Sequence, residues 1–347
     1  MRGPAFVLTI MLCAAAPGLA QANPMPVGLW DHYVGLTGGP NTEIANAFVI
    51  ARDGDLLVAG AIEIPGAGRD VLVARLTPDG DPEWVRSFGT AADDEALGIV
   101  EVAAGSIYLV GYTRGFDDGA DLLISSFTGA GNHTWTRRWG EGQGEEDILS
   151  SVVEATDGSV WACGTTGSFL PRGHQKALLL QISASGRSCP YVRVGKLLSP
   201  FWEVSGTSLA EVFDADGNPD GFCVTGKVDD LTHQRILLAR FGNQPQFYWA
   251  DAIGAADMGQ EGHRLIRTPD ACLAIAGDVS YFDDIYMNYG GLVLKTDSDA
   301  QLAWARRVPG TAQYISIAVR GLTAWESGEI IASGRYRNPL GVLHRGS

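Results

Sequence analysis

One pattern runs through the whole chain and recurs six times. An aromatic residue opens a short segment ending in glycine, and an acidic loop leads into an apolar strand. A turn, often Asp-Gly, precedes a second apolar strand with a glycine at its centre. A third apolar strand and a polar turn then lead to the next aromatic. The aromatics are Trp30, Trp84, Trp135, Tyr191, Trp249 and Trp304, separated by 54, 51, 56, 58 and 55 residues. The central glycines are Gly60, Gly111, Gly164, Gly226, Gly277 and Gly334, in LLVAGAI, IYLVGYT, VWACGTT, FCVTGKV, LAIAGDV and IIASGRY. A fixed period of about 50 residues means that each unit is one supersecondary module, which buries its apolar faces only by stacking on its neighbours.

Each period has room for about four short strands, the content of a β-propeller blade. Runs such as LLVAG are apolar on both faces, as expected of strands sandwiched between neighbouring blades. The outer segment alternates instead, as in Trp84-Val-Arg86, Trp135-Thr-Arg137, Tyr191-Val-Arg193 and Trp304-Ala-Arg306. Residues i and i+2 share a strand face, so each arginine is expected to lie along its ring with its head in water. A mid-strand glycine weakens a strand unless something needs the space. The expectation is that a ring from the next blade presses on each central glycine. The sixth unit ends at Gly341–Ser347 without an outer aromatic strand, while Gly28–Gly35 supplies a spare one. Pairing the two would remove the open sheet edge. The expected fold is therefore all-β, a propeller of six four-stranded blades closed by an N-terminal strand, with residues 23–347 forming one domain.

The repeat, with its W-x-R-x-x-G, D-G-x-hydrophobic-x-x-G and D-x-hydrophobic-x-hydrophobic parts, resembles the bacterial SBBP or delta-60 β-propeller repeats. Trp84 to Trp135, with Phe88-Gly89, Gly111 and Asp121, is a clean copy, and so is Trp30 to Trp84, with Asp53-Gly54, Asp70 and Asp79-Gly80. The likeness weakens in the fourth unit and in the sixth. It implies a secreted or surface propeller and supplies no catalytic residues. The Trp-bearing turns also resemble those of quinoprotein propellers, but the vicinal Cys-Cys pair of the quinoprotein alcohol dehydrogenases is absent and the units are too few.

Residues 1–22 read as an export leader: Arg2, an apolar stretch Ala5–Ala16, the breaker Pro17-Gly18, and Ala20-Gln21-Ala22 for cleavage. The stretch is too short to span a bilayer, so no membrane insertion is expected. The formal charge of −15 becomes one unit more negative without Arg2. Such a surface repels phosphate backbones and anionic lipid, which argues against nucleic-acid partners. Cys163, Cys189, Cys223 and Cys272 show no CxxC or zinc spacing; after export they have the option of one or two disulfides, whose pairing the sequence leaves open.

Three places carry candidate chemistry. The loops entering the first strands hold Glu43, Glu95, Glu146 (with Asp147), Glu203 and Glu261, with Gln313 in the sixth. If the first strands are innermost, these acids ring one channel mouth, where they would gather cations or bind a polyol; the alternative is that each carboxylate accepts N–H groups in its own loop. Asp214, Asp216, Asn218 and Asp220 place oxygens at alternate positions, as a Ca2+ loop begins, although Pro219 stands where an EF-hand has glycine; an Asp-rich hairpin turn is the alternative. Aromatics beside acids in Gly115–Gly119 and Tyr281–Tyr289 suit recognition of a protein or glycan. The histidines occupy unrelated repeat positions, and no G-x-S-x-G or HExxH is present. With no catalytic residue assigned, the expected function is that of a monomeric, non-enzymatic scaffold binding a protein or glycan through loops on one face. It needs no cofactor beyond the candidate Ca2+. The competing expectation is a metal-dependent hydrolase or oxidoreductase built on the channel-mouth carboxylates.

Overall fold

The computed structural model describes residues 13–14, 42–66, 68–116, 119–140, 144–168, 175–186, 191–194, 203–230, 232–243, 246–255, 258–283, 286–308, 316–324 and 327–337. Among them every regular element is a strand. Sheet 1 is β2 (Thr42–Ile50), β3 (Leu56–Ile64), β4 (Gly68–Leu76) and β5 (Pro82–Phe88). Sheet 2 is β6 (Asp94–Glu101), β7 (Ser106–Thr113), β8 (Asp121–Thr128) and β9 (His133–Trp139). Sheet 3 is β10 (Ile148–Glu154), β11 (Val160–Thr166), β12 (Lys176–Ile182) and β13 (Tyr191–Val194). Sheet 4 is β14 (Glu203–Phe213), β15 (Pro219–Asp229), β16 (Gln234–Phe241) and β17 (Phe247–Ile253). Sheet 5 is β18 (Met258–Arg267), β19 (Leu273–Asp283), β20 (Tyr286–Thr296) and β21 (Leu302–Val308). Sheet 6 pairs β22 (Ser316–Ala324) with β23 (Ile330–Arg337), and β1 (Cys13–Ala14) lies on the far edge of β23.

Sheets 1–5 are antiparallel meanders whose hydrogen-bonded order follows the chain. Each repeat unit of the sequence thus forms one sheet, offset so that the aromatic falls in the fourth strand. Sheet 6 differs from expectation. Cys13 pairs with Ala332 and Ala14 with Ile331, so residues read as leader occupy an edge that otherwise exposes unpaired N–H and C=O groups. The expected closing strand Gly28–Gly35 and the final strand Gly341–Ser347 lie outside the described residues. The chain forms two compact units, the first holding sheets 1–3 as far as Tyr191 and the second holding the rest of β13 with sheets 4–6.

Within each unit the sheets stack through alternate residues of the same strand. In β7, Ile107 and Leu109 join Leu57, Ala59, Val71 and Val73 of sheet 1 in one core cluster. Tyr108 and Val110 join Leu149, Val152, Ala162, Leu178 and Leu180 of sheet 3 in another. Sheet 5 is sandwiched likewise: Ile275 packs with Ile236 and Leu238 of sheet 4, and Ala274 and Ala276 pack with Val319 and Leu322 of sheet 6. A strand buried on both faces has no polar side, which explains the unbroken apolar runs.

The central glycines have a different cause from the one expected. In all six sheets the first strand carries a β-bulge, and the glycine pairs with the residue just before it: Ala45, Ala96, Leu149, Gly206, Gly262 and Val319. A bulge bends its strand, and here it drives a carbonyl onto the glycine. A Cβ at Gly60, Gly111, Gly164, Gly226, Gly277 or Gly334 would lie 1.8–2.1 Å from the oxygen of Ile44, Glu95, Ile148, Ser205, Glu261 or Ala318. The rings press on other glycines. Trp84 lies against Gly131 and Trp135 against Gly186, both in the third-to-fourth turn of the next sheet and both at positive φ. The indole N–H groups donate to Gly129 O and Ala184 O at 3.2 Å. Arg86, Arg137 and Arg306 sit 5.7–5.8 Å from the rings of Trp84, Trp135 and Trp304, as the alternation implied.

Candidate functional site

In each complete meander the second-to-third and fourth-to-first connections share one edge, here the upper edge. The upper edge of the first unit carries a chain of charged contacts centred on Glu95. This carboxylate is buried, at 8% exposure. It accepts hydrogen bonds from the Tyr112 hydroxyl at 2.6 Å, the Asn46 amide at 2.8 Å and the Arg69 guanidinium at 3.1 Å. Asn46 is the bulge residue of β2, so the bulge also aims a side chain at the next sheet. Arg69 also grips Asp93 and holds that carboxyl below the usual range, chiefly through their hydrogen bond. Burial, with help from the bond to Glu95, pushes the Tyr112 phenol up to about 12. Arg114 takes Glu146 in a two-pronged pair at 2.6–2.7 Å. Asp147 accepts from the Thr166 hydroxyl and from the backbone N–H groups of Gly167 and Ser168.

The five acids expected to form a ring do not share a register. Counted back from the residue opposite the central glycine, Glu95 and Glu261 stand one position away, Glu43 two, and Glu146 and Glu203 three. Neighbouring positions on a strand point to opposite faces, so Glu43 and Glu95 stand on different faces of their first strands. Glu95 and Glu146 are held by side chains from outside their own loops. Asp147 accepts its N–H groups from the β11–β12 connection, and Asp94, beside Glu95, accepts the Thr90 N–H of its own entering loop.

In the second unit Glu261 lies 4.0 Å from His263 Nδ1, and His263 Nε2 lies 2.9 Å from Asp278, which also accepts from Arg320 of sheet 6 at 2.9 Å. His263 and Arg320 are both bulge residues. The signal for this cluster was the repeat position just after the Ala45-type residue, a position that the search for histidine motifs ignored.

The candidate calcium loop forms the turn between β14 and β15. Asp214 accepts the backbone N–H of Asp216 at 3.0 Å and of Asn218 at 2.8 Å, and its second oxygen takes the Asn218 amide at 3.1 Å. Those bonds, the Asn218 N–H first, hold its carboxyl below the ordinary range. Asp220 faces away, onto Arg240 at 2.6 Å. Asp297 heads a similar turn, and Asp157, third in its own turn, likewise accepts the N–H two residues on, so carboxylate-to-backbone bonds recur in the turns of the repeat. Among the described residues no three His, Cys, Asp or Glu side chains converge as a metal centre. Cys223 and Cys272 carry free thiols, and Cys189 lies outside the described residues.

The loop aromatics lead to a groove. Between β5 and β9 runs a depression of about 730 Å³, lined by Arg86, Phe88, Phe116, Phe127, His133, Thr136 and Arg138 among others. Phe88, Phe127 and His133 form its aromatic floor, with centroids 5.3–6.2 Å apart. Phe116, from the Gly115–Gly119 loop, is 54% exposed, and Arg138 stacks over its ring at 4.0 Å. Asp121 accepts from Arg138 at 2.6 Å and orients it. Sheet 5 repeats the device, with Arg307 over Tyr281 at 4.8 Å. Both arginines are the second of a W-x-R-R run, Trp135–Arg138 and Trp304–Arg307, a signal that a reading focused on the first arginine missed.

No family model matches the sequence, and no curated protein matches it. Solved structures similar to it include the periplasmic gluconolactonase of Pseudomonas aeruginosa, at 13% identity over 83% of this chain and 87% of that one, TM-score 0.48. The WD40 domain of Neurospora crassa Pan2 is similar at 9% identity over 84% of this chain and 88% of that one, TM-score 0.44.

Proposed function

We propose that this chain is an exported six-bladed β-propeller of the SBBP or delta-60 type that acts as a binding scaffold. Its ring is closed by Gly28–Gly35, and it docks a protein partner through the upper edge. The leader-like residues 1–22 support export to the periplasm, the medium or the cell surface. Six bulged sheets, five of them four-stranded meanders, support the ring. The observation that carries the binding role is the Phe116–Arg138 stack at the mouth of the β5–β9 groove. Aromatic rings and arginine dominate the energetics of protein interfaces, and an oriented pair at a groove mouth is a preformed anchor. The enzyme reading would need reactive channel-mouth carboxylates, yet Glu95 and Glu146 are committed to Arg69, Tyr112 and Arg114.

The test compares partners captured from the source organism by the wild type, Phe116→Ala, Arg138→Ala and a remote control, Phe48→Ser. A protein held by the wild type and the control but lost with both groove variants supports the reading. Loss with neither variant overturns it, as does a glycan that binds the groove in place of a protein. Turnover on a hydrolase panel abolished by Glu95→Gln would also overturn it.

A further inference from the structure

The lower edge of the first unit holds a second cavity, of about 640 Å³, in a cleft between sheets 2 and 3. Its origin can be read from the repeat. In sheet 1 the third-strand residue opposite the aromatic is Arg75, which pairs with Asp55 at 2.7 Å. In sheet 4 it is Arg240, paired with Asp220 at 2.6 Å, and in sheet 5 Lys295, paired with Asp270 at 2.5 Å. Each long cation fills its place and meets an acid of the first turn. In sheet 2 the same register holds Ser126, with Ser106 where Asp55 stands; in sheet 3 it holds Gln181, with Ser159. Both walls of this one cleft hold a neutral residue in place of the long cation, and none of the residues lining it is charged, Asp157 standing behind the Ser159 hydroxyl that it binds at 2.5 Å.

The second observation is unspent hydrogen-bonding capacity. Tyr108 is 5% exposed and Ser126 3%, both line the cleft, and neither hydroxyl has a partner among the described residues. Neither is sealed off, unlike Asp278 Oδ1 and Thr296 Oγ1. Burial pushes the Tyr108 phenol above its ordinary range. Both hydroxyls open onto the cleft and keep their capacity for a ligand that takes the place of water there. Trp135 stands edge-on to Tyr108 at 5.9 Å and adds an apolar wall. The volume lies in the range of small-molecule sites.

We propose that this cleft binds a neutral, multiply hydroxylated ligand, a mono- or disaccharide, independently of the upper groove. Uncharged donors and acceptors beside an aromatic wall match a sugar's hydroxyls and C–H faces. A uronate or amino sugar would bring a charge that the cleft has no counter-ion to meet.

The experiment titrates the full mature chain with glucose, galactose, mannose, maltose and cellobiose, and with glucuronate and glucosamine, by calorimetry and tryptophan fluorescence. At least one neutral sugar should bind at millimolar concentration or better, and at least tenfold more tightly than its charged counterparts. Tyr108→Phe should weaken binding about tenfold or more without lowering the melting temperature. Ser106→Asp with Ser126→Arg, which restores the ion pair of sheet 1, should abolish binding while the fold persists. Binding unchanged in that double variant, equal affinity for glucuronate, or no neutral sugar bound would overturn the proposal.

Discussion

Replacing Gly111 by alanine separates the two explanations for the central glycines. The new Cβ would lie 1.9 Å from Glu95 O, at least 1 Å inside the closest approach real Cβ atoms make, and 2.9 Å from Ala96 Cα. Both obstacles are backbone of the paired strand, so relief requires the β6 bulge to move. Overpacking of this kind costs about 3 kcal/mol or more. Gly105→Ala is the matched control: its φ of +77° is unfavourable for alanine, but nothing lies within 4 Å, so the cost is about 1–2 kcal/mol. In urea denaturation followed by tryptophan fluorescence, Gly111→Ala should lose at least about 1 kcal/mol more than Gly105→Ala. The decisive arm adds Trp84→Leu. Gly131→Ala, whose Cβ meets the Trp84 ring at 2.6 Å, should be partly rescued by that change, whereas Gly111→Ala should not. Rescue of Gly111→Ala by trimming the ring would refute the bulge explanation and restore the interblade one.

Three further outcomes are expected. Glu95→Ala strips the Tyr112 hydroxyl and the Asn46 amide of their buried acceptor, and should cost about 2–4 kcal/mol in chemical denaturation; a change under about 0.5 kcal/mol would remove Glu95 from its place at the centre of the upper edge. The raised Tyr112 phenol stabilises the fold fully below the unfolded value near 10, and that contribution is lost as pH rises toward about 12. The stability gap between wild type and Tyr112→Phe should therefore close between pH 10 and 12, and a gap that stays constant would contradict the assignment. Deleting Gly28–Gly35 from the mature chain should lower the melting temperature by several degrees if that strand closes the ring, and an unchanged melting curve would exclude closure by it.

The sequence by itself determined the all-β class and the second and third strands of the repeat, because both-face burial leaves an unbroken apolar run and a repeat multiplies the signal. It also placed the arginines along their rings, since i and i+2 share a face whatever the tertiary setting. Only the tertiary structure decided what each glycine faces, because a bulge shifts pairing by one residue and no composition rule locates that shift. The same bulges aim Asn46 and Arg320 at carboxylates of the neighbouring sheets, Glu95 and Asp278, and set His263 beside Asp278 of its own sheet. The neutral cleft was equally hidden: Ser106, Ser126, Ser159 and Gln181 are ordinary residues in a linear reading. They become a cavity only when register shows that they stand where other sheets hold an ion pair.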